Sequence, residues 1–331
     1  MEKNLKLDVL KNIACFGVVA LHMFAPTQIQ NLKIYYVFAY SIPIFFMVNG
    51  FLLLNKKEVT YKYVMKKIFN LIRLIFVWNT LLFVIELLKN NYAINPILET
   101  LNNLVQKGYF FQFWFFGSII IIYLILPIYH KLLNKSKTNY LIILGTTGLI
   151  NIFINAINIK MGINWQPIFT QNVIQTFRVW IWLFYFTLGG FLGKYQPTFK
   201  FNKLWIISLV VCTVFVVKYQ YYMGINIYHN TYAEYFYGNI PIIIYVILIW
   251  VNICMIDFDK FKNNIEFING SIIITYIVHT TLIVAIGQIF KYYYDNILIN
   301  IIFYIIVLLL CICIDKIIDK IPKANKIFKL N

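Results

Sequence analysis

The sequence predicts an all-α membrane protein, a bundle of about ten transmembrane helices. Of its 331 residues, 61% are hydrophobic and only 12% are charged, and the mean hydropathy is +0.74. Soluble domains carry about 25% charged residues, so this chain cannot cover a water-facing surface of its size. Its apolar runs are continuous and near the roughly 20 residues that cross a bilayer as a helix, about twice the length of a barrel strand. A soluble enzyme, a disordered chain and a disulfide scaffold are therefore excluded.

Ten segments have the length and composition of a span. Helices are expected because lipid offers no hydrogen-bond partner, so each backbone polar group must be satisfied within its own segment. No segment has the composition of a separate soluble domain, so residues 1–331 are predicted to form a single membrane domain. The predicted spans are Leu7–Phe24, Ile34–Leu54, Ile68–Leu88, Phe111–Tyr129, Tyr140–Ile157, Thr176–Gly193, Leu204–Met223, Gly238–Ile256, Ser271–Phe290 and Leu298–Ile314.

The positions of lysine and arginine predict the orientation of the bundle. Cytoplasmic loops of membrane proteins collect these residues, and most of the 29 in this chain fall in segments that are cytoplasmic if the N-terminus is inside. Both termini are therefore predicted to be cytoplasmic, in a multi-pass protein of the cell membrane. The net charge of +17 fits this topology, so we expect the lipid bilayer as a partner and no nucleic acid.

Polar residues share one face of the first span. Lys11 and His22 are eleven residues apart, which is three helical turns plus about 20° and about 16 Å along the axis. Asp8 precedes Lys11 by three residues, close enough to form an ion pair. Because a cation at mid-bilayer costs about 2.5–3.5 kcal/mol, such a residue usually faces a partner or a wet cavity. Because Arg73 and Arg178 also lie within predicted spans, the same cost makes them candidates for a functional role. A lone intramembrane histidine is more often a packing residue, but its alignment with an ion pair favours a function.

The first span resembles the opening of the acyltransferase-3 membrane family. That family carries an arginine, ten residues and a histidine in its first span, and in LDVLKNIACFGVVALHMF these positions hold Lys11 and His22. Further segments are similar to later parts of the family in the same order. They are IPIFFMVNGFLLL, KKIFNLIRLIFVW, FQFWFFGSIIIIYLILPI, YFTLGGFLGKY and SIIITYIVHTTLI. The resemblance places Asn49 where serine is usual, Arg73 at an arginine that the family uses, and Gln112 where histidine is typical.

The resemblance implies transfer of an acyl group, usually acetyl, from cytoplasmic acyl-CoA to a sugar hydroxyl. The acceptor is typically a lipid-linked or surface glycan, and the members most similar in span pattern are stand-alone enzymes that act on envelope polysaccharides. Acyl-CoA would be a donor substrate, and no permanently bound cofactor is implied. The five cysteines lie in apolar runs without metal-ligand spacing, so no metal site is expected.

His22 is the candidate catalytic base. A sugar hydroxyl is a poor nucleophile until a base takes its proton, and imidazole titrates near neutrality. A covalent acyl-histidine intermediate is an open alternative. Lys11 and Arg73 are candidate contacts for the acyl-CoA phosphates, with Asp8 holding Lys11 in place. The axial offset of about 16 Å between Lys11 and His22 is of the order that a phosphopantetheine arm must bridge.

Four further residues are candidate substrate contacts. From motif position alone, Asn49 or Trp114 would stabilise the oxyanion or shape the pocket. Arg178 lies among aromatic residues, and the loop 221–237 is rich in tyrosine and holds Glu234. Aromatic faces with a few polar groups suit sugar binding, although Trp and Tyr also form the interfacial belt of any membrane protein. His279 is either a second polar contact or a hydrogen-bonded histidine of the bundle.

A transporter or flippase for a lipid-linked glycan is the alternative function. It would explain ten spans and intramembrane charge without catalysis. The sequence shows no internal repeat of the kind on which many transporters are built. The aligned Lys11 and His22 also favour an enzyme.

Overall fold

The computed structural model describes residues 4–26, 29–89, 94–195, 199–290 and 296–330. Within these ranges the chain is helical and contains no strand, which confirms the predicted fold class. The α-helices are α1 Leu5–Met23, α2 Ile29–Val37, α3 Ser41–Leu54, α4 Tyr61–Leu88, α5 Pro96–Leu104, α6 Trp114–Leu133, α7 Lys137–Ile163, α8 Val179–Tyr195, α9 Lys203–Asn226, α10 Ile240–Met255, α11 Lys262–Gly270, α12 Ile272–Ile289, α13 Ile297–Lys320 and α14 Ala324–Phe328.

Seven helical segments of the described ranges are long and apolar enough to cross a membrane. They comprise α4, α7, α9, α12 and α13, the segment Asn31–Leu54 and the segment Phe111–Leu133. An eighth results if α10 and the following segment Asp259–Gly270, which meet at an angle of 88°, form one broken span. The multi-pass helical architecture agrees with the sequence, whereas the predicted number of ten spans and the orientation of the termini stay predictions.

The first and sixth predicted spans form helices that are atypical of a membrane crossing. Helix α1 carries Lys6, Asp8 and Lys11 within 19 residues, and α8 has only 17 residues. Both nevertheless lie at the centre of the bundle, where α8 runs along α3 and α1 packs against α3, α11 and α12. The two helices that other helices enclose, α1 and α8, are therefore the ones whose charge or length suits a lipid environment least. By contrast, α7, α9 and α13 bury only 17%, 11% and 17% of their most apolar stretch and form the periphery.

Helices α3 and α8 pack antiparallel with their backbones almost in contact. A Cβ atom added to Gly50 would lie 1.8 Å from the carbonyl oxygen of Phe186, and one added to Gly189 would lie 1.9 Å from that of Met47. Small residues allow such an approach in a membrane, where packing rather than the hydrophobic effect drives association. The contact brings the Trp182 ring of α8 into a stack with Phe46 of α3, with centroids 4.6 Å apart.

Buried amide side chains tie neighbouring helices together by donating to backbone carbonyl groups. Asn12 of α1 donates to Ile265 of α11 at 3.1 Å. Four more bonds of this kind join Asn151 to Trp180, Gln220 to Tyr36, Asn252 to Trp205 and Gln112 to Ile277. An unpaired amide in an apolar interior costs several kcal/mol, on the order of 2–7, so these bonds fix which helices lie side by side.

Substituting Gly189 by alanine should destabilise the bundle, because the new methyl group meets rigid backbone rather than a movable side chain. Overpacking of this kind costs about 1–3 kcal/mol, so we expect a clear fall in the thermal unfolding midpoint of the detergent-solubilised protein. Gly145→Ala is the matched control, since a Cβ there has no atom within 4 Å and helical glycine is less favourable than alanine by about 0.5–1 kcal/mol. Equal midpoints for the two variants would contradict the close α3–α8 contact.

Candidate active site

A cavity of about 440 Å³ reaches the end of α1 that carries His22. Its polar lining consists of one imidazole, two amides, one carboxylate and several aromatic hydroxyl groups. These belong to His22, Gln106, Gln175, Glu234, Tyr35, Tyr232, Tyr235 and Tyr237. The apolar lining includes Trp114 and Phe111. The cavity has the mixed character of a small-molecule site, apolar and aromatic with a few convergent polar groups.

His22 lies in the last turn of α1 and contacts two rings. Its centroid is 5.5 Å from that of Phe111, which lines the cavity, and 5.0 Å from that of His279 on α12. His279 is fully buried, and its Nδ1–H donates to the carbonyl oxygen of Thr275 at 3.0 Å. Because a carbonyl group only accepts, Nδ1 carries the proton and Nε2 carries a lone pair. Within the described ranges that Nε2 is buried without a hydrogen-bond partner.

Gln112 holds α12 beside the start of α6. Its Nε2 donates to the Ile277 carbonyl at 3.1 Å and to the Thr280 hydroxyl at 2.9 Å, and the Tyr276 hydroxyl donates to its backbone carbonyl. These bonds bracket His279 in sequence and fix the turn that precedes Trp114. The residue that stands where the family has histidine thus positions the wall of the cavity rather than facing it.

Arg178 and Glu234 form an ion pair at the cavity wall, in which only the guanidinium is fully buried. The guanidinium is 2% exposed and donates through Nη2 to the Glu234 carboxylate at 3.2 Å. Its Nη1 donates to the Glu234 backbone carbonyl at 3.0 Å and its Nε to that of Val173 at 2.8 Å. The other carboxylate oxygen accepts a hydrogen bond from Gln175. Arg178 lies just before α8, which begins at Val179, whereas the predicted span begins at Thr176, so Arg178 is a buried residue of the turn that precedes this helix.

The tyrosine-rich loop folds over the cavity and is pinned on both sides. The Tyr36 hydroxyl of α2 donates to the Thr231 carbonyl at 2.8 Å, and the Tyr185 hydroxyl of α8 donates to the Tyr237 carbonyl at 2.8 Å. Burial, together with the adjacent Glu234 carboxylate, raises the pKa of Tyr235 to about 12, so its hydroxyl is a hydrogen-bond donor at neutral pH. Three tyrosines of this loop, Tyr232, Tyr235 and Tyr237, line the cavity.

Trp114 and Trp182 form the aromatic floor of the same region. Their ring centroids are 5.2 Å apart, and the Trp182 indole N–H donates to the Gln175 carbonyl at 2.7 Å. Trp114 lines the cavity, and Trp182 packs against it from α8. The close packing of α3 and α8 therefore helps to fix the position of the Trp114 ring, which lines the cavity.

The remaining predicted site residues lie away from the cavity. The expected pairing of Lys11 with Asp8 is present at 2.6 Å, but the cavity lining on α1 extends no nearer to Lys11 than Val18, seven residues or about 10 Å along the axis. Arg73 donates to the backbone carbonyl of Lys329 at 3.4 Å.

Asn49 donates to the Phe45 carbonyl at 2.9 Å and accepts a hydrogen bond from the Tyr123 hydroxyl at 3.4 Å. Among the described residues, neither Asn49 nor the three charged residues lines the His22 cavity.

Three polar residues of the cavity, Gln106, Gln175 and Tyr35, are not among the residues predicted from the sequence. Gln106 and Gln175 lie in connections between helices, and the Gln106 side-chain oxygen accepts from the Gln175 backbone N–H at 3.1 Å. Tyr35 accepts from the Ala233 N–H at 2.9 Å. Nothing in the pattern of hydropathy marks any of the three in the sequence, and the positive φ of 63° at Gln106 is a feature of the structure alone.

Fold and site together define a multi-pass helical membrane protein with a polar cavity lined by His22, which lies against the buried imidazole of His279. The acyltransferase-3 family model, described as an acyltransferase domain, matches residues 4–316. The chain therefore belongs to the acyltransferase-3 family and is a membrane acyltransferase. No curated protein and no solved structure matches the chain.

Replacing Arg178 by methionine should strongly destabilise the protein, because the Glu234 carboxylate then lies half-buried without its cation. Breaking a buried pair on one side costs about 3–5 kcal/mol, and we expect the lower end because Glu234 keeps 20% of its side chain exposed. The control is Lys218→Met, at an exposed lysine of α9. Thermal unfolding measures both variants. If Arg178→Met unfolds at the same temperature as the control, the ion pair does not stabilise the loop.

Proposed function

We propose that the protein transfers an acetyl group from acyl-CoA to a sugar hydroxyl, with His22 as the general base. The observation that supports this most is the position of His22, which lines a polar cavity and lies against a second histidine. Membership of the acyltransferase-3 family favours group transfer over the alternative of a transporter or flippase.

The reaction balances with one base. The acceptor hydroxyl enters the cavity and gives its proton to the unprotonated nitrogen of His22 while its oxygen attacks the thioester carbonyl carbon. The tetrahedral intermediate collapses, the carbon–sulfur bond breaks and the new ester remains on the sugar. His22 then returns the proton to the departing thiolate of coenzyme A. Imidazole suits both steps because its unperturbed pKa lies near neutrality.

His279 is proposed as a positioning residue for His22 rather than as a substrate contact. Its Nδ1–H is committed to Thr275, so its Nε2 can only accept a hydrogen bond. The His22 imidazole lies next to it, with ring centroids 5.0 Å apart, and we propose that it turns an N–H towards this Nε2 during catalysis. Such a bond would leave the other nitrogen of His22 unprotonated towards the cavity, which is the form that a general base requires.

The donor is proposed to enter from the end of α1 that carries Lys11 and Asp8. Lys11, with its side chain 27% exposed, and Arg73 would contact the phosphates of acyl-CoA, and the pantetheine arm would run along α1 towards His22. Because the cavity lining stops at Val18, this proposal requires that donor binding opens the stretch between Val18 and Lys11. The side of the bundle with Lys11 would then be cytoplasmic.

The acceptor is proposed to be a glycan of the cell envelope, free or lipid-linked, that presents a hydroxyl to the cavity. Trp114 and the tyrosine hydroxyls offer the stacking faces and hydrogen bonds that a sugar ring uses. Arg178 would act on the acceptor through Glu234, since the guanidinium itself is buried behind it.

Replacing His22 by alanine should abolish acetyl transfer, since general-base catalysis contributes about 10²–10⁴-fold. Membranes carrying the protein would receive labelled acetyl-CoA and an envelope glycan acceptor, and the labelled glycan would be counted. The matched control is His229→Asn, because His229 is exposed, stacks on Trp165 and has a positive φ of 49° that asparagine tolerates. Full transfer by His22→Ala membranes would remove the proposed base.

Replacing His279 should separate positioning from substrate binding. We expect His279→Ala to lower kcat by about 10²-fold, the lower end of the range for general-base catalysis, with little change in the KM for acceptor. His279→Gln should recover part of kcat, because its side-chain oxygen can also accept from His22. A raised acceptor KM with unchanged kcat would instead assign His279 to substrate binding.

A further inference from the structure

Among the described residues, the charge that lines the cavity is negative. Glu234 is the acidic residue of its lining, and within the described part of the chain no lysine or arginine lines it. The balancing cation, Arg178, stands on the far side of the carboxylate and is 2% exposed. A ligand in the cavity therefore meets the carboxylate first and the guanidinium only through it.

Arg178 is not free to turn towards a ligand. Its Nε and Nη1 donate to the backbone carbonyls of Val173 and Glu234, and its Nη2 donates to the carboxylate. The guanidinium also packs 4.9 Å above the ring of Tyr235. Because Nε, Nη1 and Nη2 each already donate to a protein acceptor, the guanidinium stabilises the loop that contains Glu234. Together with Gln175, it holds the Glu234 carboxylate in place.

We propose that Glu234 makes the His22 cavity selective for uncharged acceptors and excludes acceptor residues that carry a carboxylate or phosphate. An anionic group in a cavity of this size lies within a few ångströms of Glu234, in a partly desolvated site where like charges repel far more than in water. Glu234 also accepts hydrogen bonds from sugar hydroxyls, so it favours the neutral ligand that it admits. The nature of the acceptor rests on the proposed function, whereas the selection by charge is a property of binding alone.

The test compares ligands that differ in charge at one carbon. Methyl glycosides of glucose, galactose and mannose would each be used as the alcohol, the uronamide and the uronate. Saturation-transfer NMR on the full chain in nanodiscs measures binding without acyl-CoA and without turnover. We expect the alcohol and the neutral uronamide of at least one sugar to bind, and its uronate to bind at least about tenfold more weakly. Because the uronamide matches the uronate in shape, the difference reports charge.

The variant Glu234→Gln should invert this order. It removes the carboxylate and leaves the positive charge of Arg178 uncompensated behind the wall, so the uronate should bind at least as well as the uronamide. Glu58→Gln makes the same change at an exposed residue outside the cavity lining and should keep the wild-type ratio. If Glu234→Gln does not fold, the double variant Arg178→Met with Glu234→Gln removes both charges, and discrimination should vanish without inverting.

Two results would overturn the inference. One is equal binding of uronate and uronamide to the wild-type protein, and the other is unchanged discrimination in both Glu234 variants. Absence of binding by every neutral glycoside would also count against it. Failure of the proposed function is a separate result, because a protein that transfers no acetyl group can still bind neutral glycosides and reject their uronates.

Discussion

Hydrogen-bond satisfaction inside an apolar bundle is the constraint on which this structure depends. Lipid provides no donor or acceptor, so a buried polar side chain must find its partner within the protein. The amides of Asn12, Asn151, Gln220 and Asn252 do so by donating to carbonyl groups of adjacent helices. The rule has exceptions in the described ranges, because the side-chain oxygens of Asn12, Asn151 and Gln220 and the Nε2 of His279 are buried without a partner. His279 differs from these amides in that a second imidazole, that of His22, lies beside it with ring centroids 5.0 Å apart.

The same constraint explains why the site lies on the least typical helices of the bundle. Helix α1 carries an ion pair and α8 is only 17 residues long, yet both are enclosed by other helices. Glycine contacts between α3 and α8 allow Trp182 to pack against Trp114, and Glu234, which pairs with Arg178, lines the same cavity as Trp114. Packing, ion pairing and the loop hydrogen bonds thus converge on one cavity, which gives a helical membrane scaffold a preorganised polar site.

The sequence was informative where a physical signal is local. Composition predicted the helical membrane fold, and the spacing within α1 together with the family resemblance selected His22, which reaches the cavity. The number of spans was harder, because hydropathy reports how a helix would suit lipid, whereas α1 and α8 face protein. Glu234 and Gln175 meet across 59 residues of chain, a contact that no periodic pattern encodes. For the same reason, Asn49 and Trp114 looked equivalent in sequence, although only Trp114 lines the cavity.

The most direct measurement is a cryo-EM map of the protein with a non-hydrolysable acetyl-CoA analogue, in which a thioether replaces the thioester. If His22 is the base of an acyl transferase fed from the Lys11 end, the sulfur will lie beside the His22 imidazole. The phosphates will lie near Lys11 and Arg73, with the α1 stretch between Lys11 and Val18 opened around the arm. An analogue bound elsewhere in the bundle, with His22 still separated from it by closed packing, would contradict the assignment of this cavity as the site of transfer.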